Sequence, residues 1–375
     1  MCEMKPTTIQ KHFGKLPDPR AANSLHILVD ILTISICGVI CGAKTYDQIE
    51  EFGKDNEKWL KRFLELPNGI PSHDTFGRVF SAIDPREFQN CFMDWIADVT
   101  RLINRETVAI DGKTVRRSYD SSAGKKAIHM ISAWATDKNI VLGQYKTAEK
   151  SNEITAIPML IKMLDLSGSI VTIDAMGCQK KIASSIIEKK ADYVLAVKEN
   201  QPQLYGDIKL YLDDIIASGK EIGPLCYHET IDADHGRIET RKYWITTDID
   251  WLHGKENWRG LKSIGCVERK REIGEDVSFE KSYFIGSIEN DAELFAKAVR
   301  NHWGIENGLH WTLDMAFRED ESRIRKGHAP ENFAVLRHIA LNLIKNEKTF
   351  KGSVNTKQLK ASWNKLYLEK IIKVN

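Results

Sequence analysis

Two aspartates in this chain occupy matching sequence contexts that suit metal-dependent chemistry. Asp111 follows the apolar segment TVAI and precedes a glycine, and Asp174 follows the apolar segment IVTI and precedes AMG. Sites in α/β proteins are built at the ends of strands. A lone aspartate in such a place is usually a turn residue, but the repeated order of strand, carboxylate and small residue predicts two carboxylates that share a metal ion.

A third carboxylate is predicted on a helix over residues 300–317. Apolar residues recur there at helical spacing and would form the face toward the core. These residues are Ile305, Leu309, Leu313 and Ala316. Glu306 lies beside this face, so we expect the packing of the helix against the sheet to carry its carboxylate toward the two aspartates.

This set of side chains fits the hydrolysis of phosphodiesters. The reaction needs a deprotonated water and cations near both oxygens of the phosphorus centre, which two Mg²⁺ ions about 3.5–4 Å apart provide. Magnesium prefers a few hard carboxylate oxygens and leaves its other positions to water and phosphate. We therefore predict Asp111, Asp174 and Glu306 as both the catalytic residues and the metal ligands, with Mg²⁺ as the ion and Mn²⁺ as the alternative.

The same helix leaves two other interpretations open. His302, Glu306 and His310 recur every fourth residue, as in helical zinc or iron sites. Such a site needs a second helix with ligands, which the sequence does not show. Trp303 and Trp311 either stack on DNA bases or pack in the core, and we expect core positions because large aromatics at helical spacing are usually buried.

Cationic side chains near these positions are candidates for contact with DNA phosphates. Three closely follow Asp111, two alternate along a strand in the motif HGRIETR, which places them on one face with Glu239, and two lie in the loop after the helix of Glu306. The predicted DNA-binding residues are Lys113, Arg116, Arg117, Arg237, Arg241, His302, Arg323 and Arg325. An ordinary polar surface is the alternative for the lysine and the arginines, and a satisfied structural histidine is the alternative for His302.

The order of the elements around these residues predicts an RNase H-like core. Three successive apolar strands, two of them joined by the turn in ATDKNIV, indicate an antiparallel arrangement. Helix, strand, helix and strand follow, which is typical of parallel strands. We therefore predict an α/β fold with a mixed sheet of three antiparallel and then parallel strands.

Changes in the hydrophobic pattern along the chain predict five parts. Residues 1–100 form an N-terminal helical domain, and residues 101–225 form the first part of the catalytic core. The strand-rich residues 226–288 are predicted to be a β-rich insertion. Residues 289–346 form the helical second part of the core, and residues 347–375 form a basic C-terminal tail.

The bulk composition is that of an ordinary globular protein. Of its 375 residues 42% are hydrophobic and 28% are charged, and the net charge of +2 does not by itself indicate a nucleic-acid binder. The apolar run at residues 25–43 contains His26, Asp30, Thr33 and Ser35, so it predicts a buried helix and no membrane span. Seven scattered cysteines and no secretory signal predict a reducing cytoplasm.

Several separated motifs resemble one known family. AIDGKTVRRS, IVTIDAMGCQ, ADYVLAVKENQ, HGRIETR and RNHWGIENGLHW resemble the H-repeat-associated transposases, an insertion-sequence family found beside Rhs elements. LVDILTISICGVICGA and LPNGIPSHDTFGRVFSAIDP resemble the N-terminal transposase-associated domain of that family. The resemblance therefore covers most of the chain, with the motifs in the same order.

The resemblance implies a DDE active site at Asp111, Asp174 and Glu306. It also implies Mg²⁺-dependent cleavage of double-stranded DNA at transposon terminal repeats, followed by strand transfer into target DNA. The working form would be a dimer in a synaptic complex at the bacterial nucleoid. Two alternatives remain, namely a catalytically inactive or domesticated DNA-binding descendant and an RNase H-like nuclease without strand transfer.

The helix of Glu306 departs from the pattern of the wider cut-and-paste superfamily. There the glutamate is accompanied by a tyrosine and an arginine before it and a lysine after it. Val299, His302 and Leu313 stand at those positions here. His302 is thus a candidate substitute for the phosphate contact of the arginine.

Overall fold

The computed structural model describes residues 8–21, 24–100, 102, 104–121, 124–147, 153–218, 224–234 and 236–372. His235 of the HGRIETR motif lies outside these residues. The described residues before Thr107 contain helices and no strand. The helices are α1 (Thr8–Phe13), α2 (Leu28–Ile40), α3 (Tyr46–Asp55), α4 (Glu57–Leu60), α5 (His73–Ala82) and α6 (Pro85–Val99).

The apolar run near the N-terminus forms the buried helix α2, as predicted. Its polar side chains are satisfied inside the protein, because Asp30 accepts a hydrogen bond of 3.0 Å from the backbone N–H of Leu66. Thr33 and Ser35 donate to backbone carbonyls one turn earlier in the helix. Among the described helices, none has both the length and the apolar character needed to cross a bilayer.

The core sheet has the strand order predicted for an RNase H-like fold. Strands β1, β2 and β3 are antiparallel neighbours, and β4 and β5 then add parallel to β1. Helices α7 and α8 make the connections between the parallel strands. The elements are β1 (Thr107–Thr114), β2 (His129–Ala135), β3 (Ile140–Thr147), α7 (Glu153–Met163), β4 (Ile170–Ile173), α8 (Lys180–Glu188) and β5 (Asp192–Val197).

The β-rich insertion extends the core sheet. After a long helix, four antiparallel strands follow, and the last of them pairs antiparallel with β5. The resulting nine-stranded sheet has the order β3-β2-β1-β4-β5-β9-β8-β7-β6. The added elements are α9 (Pro202–Ser218), β6 (Leu225–Asp234), β7 (Arg237–Thr246), β8 (Ser263–Ile273) and β9 (Asp276–Gly286).

Helices complete the chain and cover the sheet. The predicted helix at residues 300–317 is the continuation of α10, and it contains a π-helical turn. The C-terminal segment forms two helices, in which Lys357, Leu368 and Ile371 are buried. The elements are α10 (Ala292–His302), α11 (Trp311–Met315), α12 (Ala329–Asn346), α13 (Val354–Trp363) and α14 (Lys365–Ile372).

Candidate active site

Asp111 and Asp174 lie side by side on adjacent parallel strands. The parallel pairing of β1 with β4 ends at Ile110 and Ile173, and each aspartate follows directly. Asp174 lies just beyond the end of β4, whereas β1 continues past Asp111 to Thr114, so the strand end expected at Asp111 was wrong. Neighbouring strands lie about 4.8 Å apart. The backbone N–H of Gly112 donates to Asp111 at 2.8 Å, and that of Gly177 donates to Asp174 at 3.2 Å. Local backbone therefore fixes one oxygen of each carboxylate.

Asp111 is partly buried and lies near three other carboxylates. Burial raises the pKa of this carboxyl to about 7, with the Gly112 N–H opposing the rise and the charges of Asp174, Glu306 and Glu153 adding to it. The pKa of Asp174 is also raised, by partial burial and then by the charge of Glu153. The carboxylates thus lie within electrostatic range of one another, and a bound divalent cation would relieve their repulsion.

Glu306 begins a π-helical turn in an otherwise α-helical segment. The turn spans Glu306–His310, and the N–H of Trp311 bonds to the carbonyl of Glu306. The four residues of the predicted apolar face are all buried, which confirms that part of the prediction. The prediction for the tryptophans was wrong, because Trp303 is 41% exposed and Trp311 is 60% exposed. At about 100° per residue, Trp303 and Trp311 lie on the side of the helix opposite these four buried residues, which accounts for their exposure.

A buried His129–Glu153 pair lies beside Asp111 and was missed by the sequence analysis. His129 Nε2 is 2.6 Å from Glu153 Oε1, and its Nδ1 is 2.8 Å from the hydroxyl of Thr114. Both side chains contact the face of β1 that carries Gly112. The signal in the sequence was weak, because a histidine in an apolar strand and a glutamate at a helix start are each common.

Gly112 has no side chain, and the His129–Glu153 pair fills the space that a side chain would need. We therefore expect Gly112→Ala to destabilise the protein. The new Cβ would lie 2.4 Å from His129 Nε2 and 2.7 Å from Glu153 Oε1, and both side chains are buried. Overpacking of this kind costs about 1–3 kcal/mol of unfolding free energy. Urea unfolding measures the loss.

The matched control for that substitution is Gly206→Ala in α9. A Cβ at this helical position meets nothing within 4 Å, so the alanine should be neutral or stabilise by about 0.5–1 kcal/mol. An unfolding free energy for Gly112→Ala equal to that of wild type would contradict the steric role assigned to the glycine.

Lys113 contacts three carboxylates within the protein. Its Nζ is 2.8 Å from Asp314, 2.9 Å from Asp320 and 3.3 Å from Glu319, and the side chain is 12% exposed. Glu319 also pairs at 3.3 Å with the buried Arg337 of α12. Contact of Lys113 with DNA stays a prediction, and it would require the ammonium to leave these partners.

The two histidines of the helix lie near the aspartates but are uncharged at neutral pH. His302 Nδ1 is 3.1 Å from the hydroxyl of Thr172, and burial lowers the pKa of His302 to about 4. His310 Nδ1 is 3.6 Å from Asp111 Oδ2, and burial lowers the pKa of His310 also to about 4. A phosphate contact by His302 would therefore be a neutral hydrogen bond.

The predicted DNA-binding arginines differ widely in exposure. Arg116 is 79% exposed although it pairs with Asp320 at 3.1 Å, and Arg117 and Arg323 are exposed. Arg325 is partly buried, with its guanidinium over the ring of Tyr119 and its Nε donating to the carbonyl of Arg117. Arg116, Arg117 and Arg323 are thus more accessible than Arg325.

The arginines of the β-rich insertion pair with acidic residues. Arg237 and Arg241 share a strand face with Glu239, which lies 3.6 Å from the first and 2.7 Å from the second. Arg241 is buried and also pairs with Asp232 at 2.6 Å. Arg237, 46% exposed, is the more accessible of the two.

The carboxylate oxygens of Asp111, Asp174 and Glu306 are of the kind that magnesium prefers. The three side chains do not lie close enough together to coordinate one ion. Within the described ranges, no group of three or more His, Cys, Asp or Glu side chains is close enough to hold a metal ion. Neither the set of Asp111, Asp174 and Glu306 nor the alternative set of His302, Glu306 and His310 forms such a group in the described part of the chain. Burial, and after it the charges of Asp174, Glu306 and Glu153, raises the pKa of Asp111, and a hard cation would offset both effects on the ionised carboxylate.

Two protein-family models match almost the whole chain. The model described as "Transposase DDE domain" matches residues 103–343, and the model described as "DDE_Tnp_1-associated" matches residues 10–96. The first begins just before β1 and ends within α12, so it spans the whole sheet. The second covers the N-terminal helices.

Curated relatives match over nearly their whole length. The chain is 42% identical over 366 residues to "Putative transposase YncI" of Escherichia coli O157:H7, covering 96% of this chain and 93% of that protein. It is 41% identical over 371 residues to "H repeat-associated putative transposase YhhI" of Escherichia coli K12, covering 97% of both. These matches confirm the resemblance drawn from the motifs.

A similar solved structure is a piggyBac transposase in a synaptic complex with hairpin DNA, at 11% identity and a TM-score of 0.40, covering 97% of this chain and 77% of that one. The overlap is loose, so the fold assignment rests on the strand order given above. Family match, relatives and strand order agree, and the chain belongs to the transposases with a DDE domain, among the H-repeat-associated members.

Proposed function

We propose that this protein cleaves double-stranded DNA at the ends of an insertion sequence and joins the freed ends to target DNA. The observation that carries the proposal is the adjacent pair of Asp111 and Asp174, which both follow the point where the parallel pairing of β1 with β4 ends, with the carboxylate of Glu306 in electrostatic range. Membership of the family supports the same reaction class. The substrates would be the terminal repeats of the element and its target DNA, at the nucleoid.

Asp111, Asp174 and Glu306 are the residues that would hold Mg²⁺, or Mn²⁺ in its place. When bound, the ions supply an activated nucleophile and neutralise the charge that develops at phosphorus. The backbone N–H groups of Gly112 and Gly177 donate hydrogen bonds to Asp111 and Asp174 and so orient the two carboxylates. First water and then a DNA 3′-hydroxyl would act as the nucleophile.

Exposed cations around the site would hold the DNA backbone. Arg116, Arg117 and Arg323 offer charge for phosphate contact, and His302 offers a neutral hydrogen bond beside Glu306. Because phosphate contacts release counterions, DNA affinity should fall steeply as salt rises. We propose that two copies act together and bring both ends of the element into one complex.

A strand-transfer assay with the element's own terminal repeats and Mg²⁺ or Mn²⁺ tests the proposal. The expected products are nicked ends and target DNA joined to them. Cleavage that ignores the end sequence and gives no joined product would indicate a nuclease. DNA binding without any cleavage would indicate an inactive descendant.

A further inference from the structure

The helix of Glu306 needs a directional anchor beyond its apolar face. Its buried leucines, Leu309 and Leu313, supply packing, but apolar contact is non-directional and permits sliding along the sheet. The π turn at Glu306–His310 also interrupts the regular backbone hydrogen bonding of the helix at Glu306, the residue that carries the proposed ligand. Regular helix geometry therefore does not by itself fix the position of Glu306 relative to the strands.

Lys113 joins the two elements that carry the proposed ligands. It lies two residues after Asp111 on β1, and side chains alternate along a strand, so both occupy the same face. Asp314 lies on α11, directly after the π turn that begins at Glu306. The Lys113 ammonium is 2.8 Å from its carboxylate, an ion pair in a largely buried place where solvent and salt screen the attraction weakly.

The contact is anchored further by the segment that follows α11. Asp320 and Glu319 are 2.9 Å and 3.3 Å from the same ammonium, and Glu319 is tied to Arg337 in α12. Further polar contacts tie this helix to the sheet at longer distances. His310 Nδ1 is 3.6 Å from Asp111, Asn301 Nδ2 is 3.5 Å from the Thr107 hydroxyl of β1, and His302 Nδ1 is 3.1 Å from the Thr172 hydroxyl of β4.

We propose that Lys113 is a positioning residue, whose ion pair with Asp314 holds the helix of Glu306 in register with the strand of Asp111. The inference rests on the proposed function, because it takes these carboxylates as the metal ligands. Lys113 would act through the protein and without touching DNA, which differs from the phosphate contact predicted from sequence.

The sign of the effect on metal binding separates positioning from simple charge. If Lys113 were only a nearby positive charge, Lys113→Met would remove repulsion and tighten the binding of a divalent cation. If it positions Glu306, the same change would separate the ligands and weaken binding. Residues that support metal ligands typically change affinity by about 10–100-fold.

The test measures the affinity of the full-length protein for Mn²⁺ alone, by the electron paramagnetic resonance signal of the free ion. We expect Lys113→Met to weaken Mn²⁺ binding by about 10–100-fold and Lys113→Arg to stay nearer wild type. Asp314→Asn, which keeps the side-chain shape, should weaken binding in the same direction and serves if Lys113→Met fails to fold. In the double variant the losses should not add, because both changes remove one contact.

Lys357→Met is the matched control. Lys357 is a buried lysine of α13 that donates to the carbonyls of Ile344 and Glu347 at the C-terminal end of α12. Because these partners belong to a different element from β1 and α11, its loss should lower stability without changing Mn²⁺ affinity. Unchanged or tighter Mn²⁺ binding in both Lys113→Met and Asp314→Asn would overturn the positioning role alone. Equal weakening in Lys357→Met would also overturn it. Two other results would overturn the proposed function itself. One is a wild-type protein that binds no Mn²⁺, and the other is an Asp111→Asn variant that binds Mn²⁺ as tightly as wild type.

Discussion

Replacing Asp111 or Asp174 with asparagine is expected to lower Mg²⁺-dependent nicking of a terminal-repeat substrate by about a thousandfold or more. Asparagine keeps the shape of the side chain but removes the anionic oxygen ligand. Loss of a metal site that contributes several kcal/mol to transition-state stabilisation corresponds to a rate loss of this size. A gel assay of single-strand breaks measures it.

DNA binding should survive both substitutions, because the exposed arginines and not the aspartates carry the phosphate contacts in the proposal. Asp165→Asn provides the control, since this exposed aspartate accepts only a local backbone hydrogen bond from Ser167. It should cleave as wild type does. Wild-type nicking in either Asp111→Asn or Asp174→Asn would refute the assignment of the site.

The second large effect is on how stability depends on pH and metal. The pKa of Asp111 is about 7 in the folded protein against 3.8 for an unperturbed aspartate. Below the lower value the carboxyl is protonated in both states. Between the two values only the unfolded chain ionises, so the unfolding free energy of the metal-free protein should fall as pH rises from about 4 to about 7.

At about 1.4 kcal/mol per pH unit, this loss has an upper bound of about 4 kcal/mol. Asp111→Asn cannot ionise, so the variant should lack most of the decline and be more stable than wild type at about pH 8 without metal. Mg²⁺ should restore wild-type stability at that pH and have little effect on the variant. Chemical unfolding at about pH 5 and about pH 8, with and without Mg²⁺, tests both statements.

The opposite slope would contradict the environment described for Asp111. A wild-type protein that gains stability from about pH 4 to about pH 7, with Asp111→Asn following the same curve, would mean that this carboxyl is not destabilised when charged. The expected effect of Mg²⁺ depends in addition on the proposed ligand set. The two parts of the prediction can therefore fail separately.

The sequence predicted those features that local pattern controls. Strand order, the position of Asp174 after an apolar strand, and the buried face of the Glu306 helix all follow from periodicity and from breaks in it. The strand end expected at Asp111 was wrong, because the pairing of β1 with β2 continues to Thr114. The H-repeat resemblance could be drawn for the same reason, since its motifs are short and continuous.

Contacts between distant parts of the chain were out of reach of that reasoning. Lys113 and Asp320 are 207 positions apart, so nothing near Lys113 indicates that its charge is already paired. The pairing of His129 with Glu153 likewise depends on how α7 packs on the sheet.

The π turn has a consequence for how this helix tolerates insertions and deletions. Elsewhere in a regular helix, loss of one residue rotates everything beyond it by about 100° and would move Asp314 away from Lys113. Within Glu306–His310 the turn already holds a surplus residue, so a deletion there can be absorbed by a return to α geometry. Length variants among relatives should therefore be tolerated at this turn and selected against in the helical segments on either side.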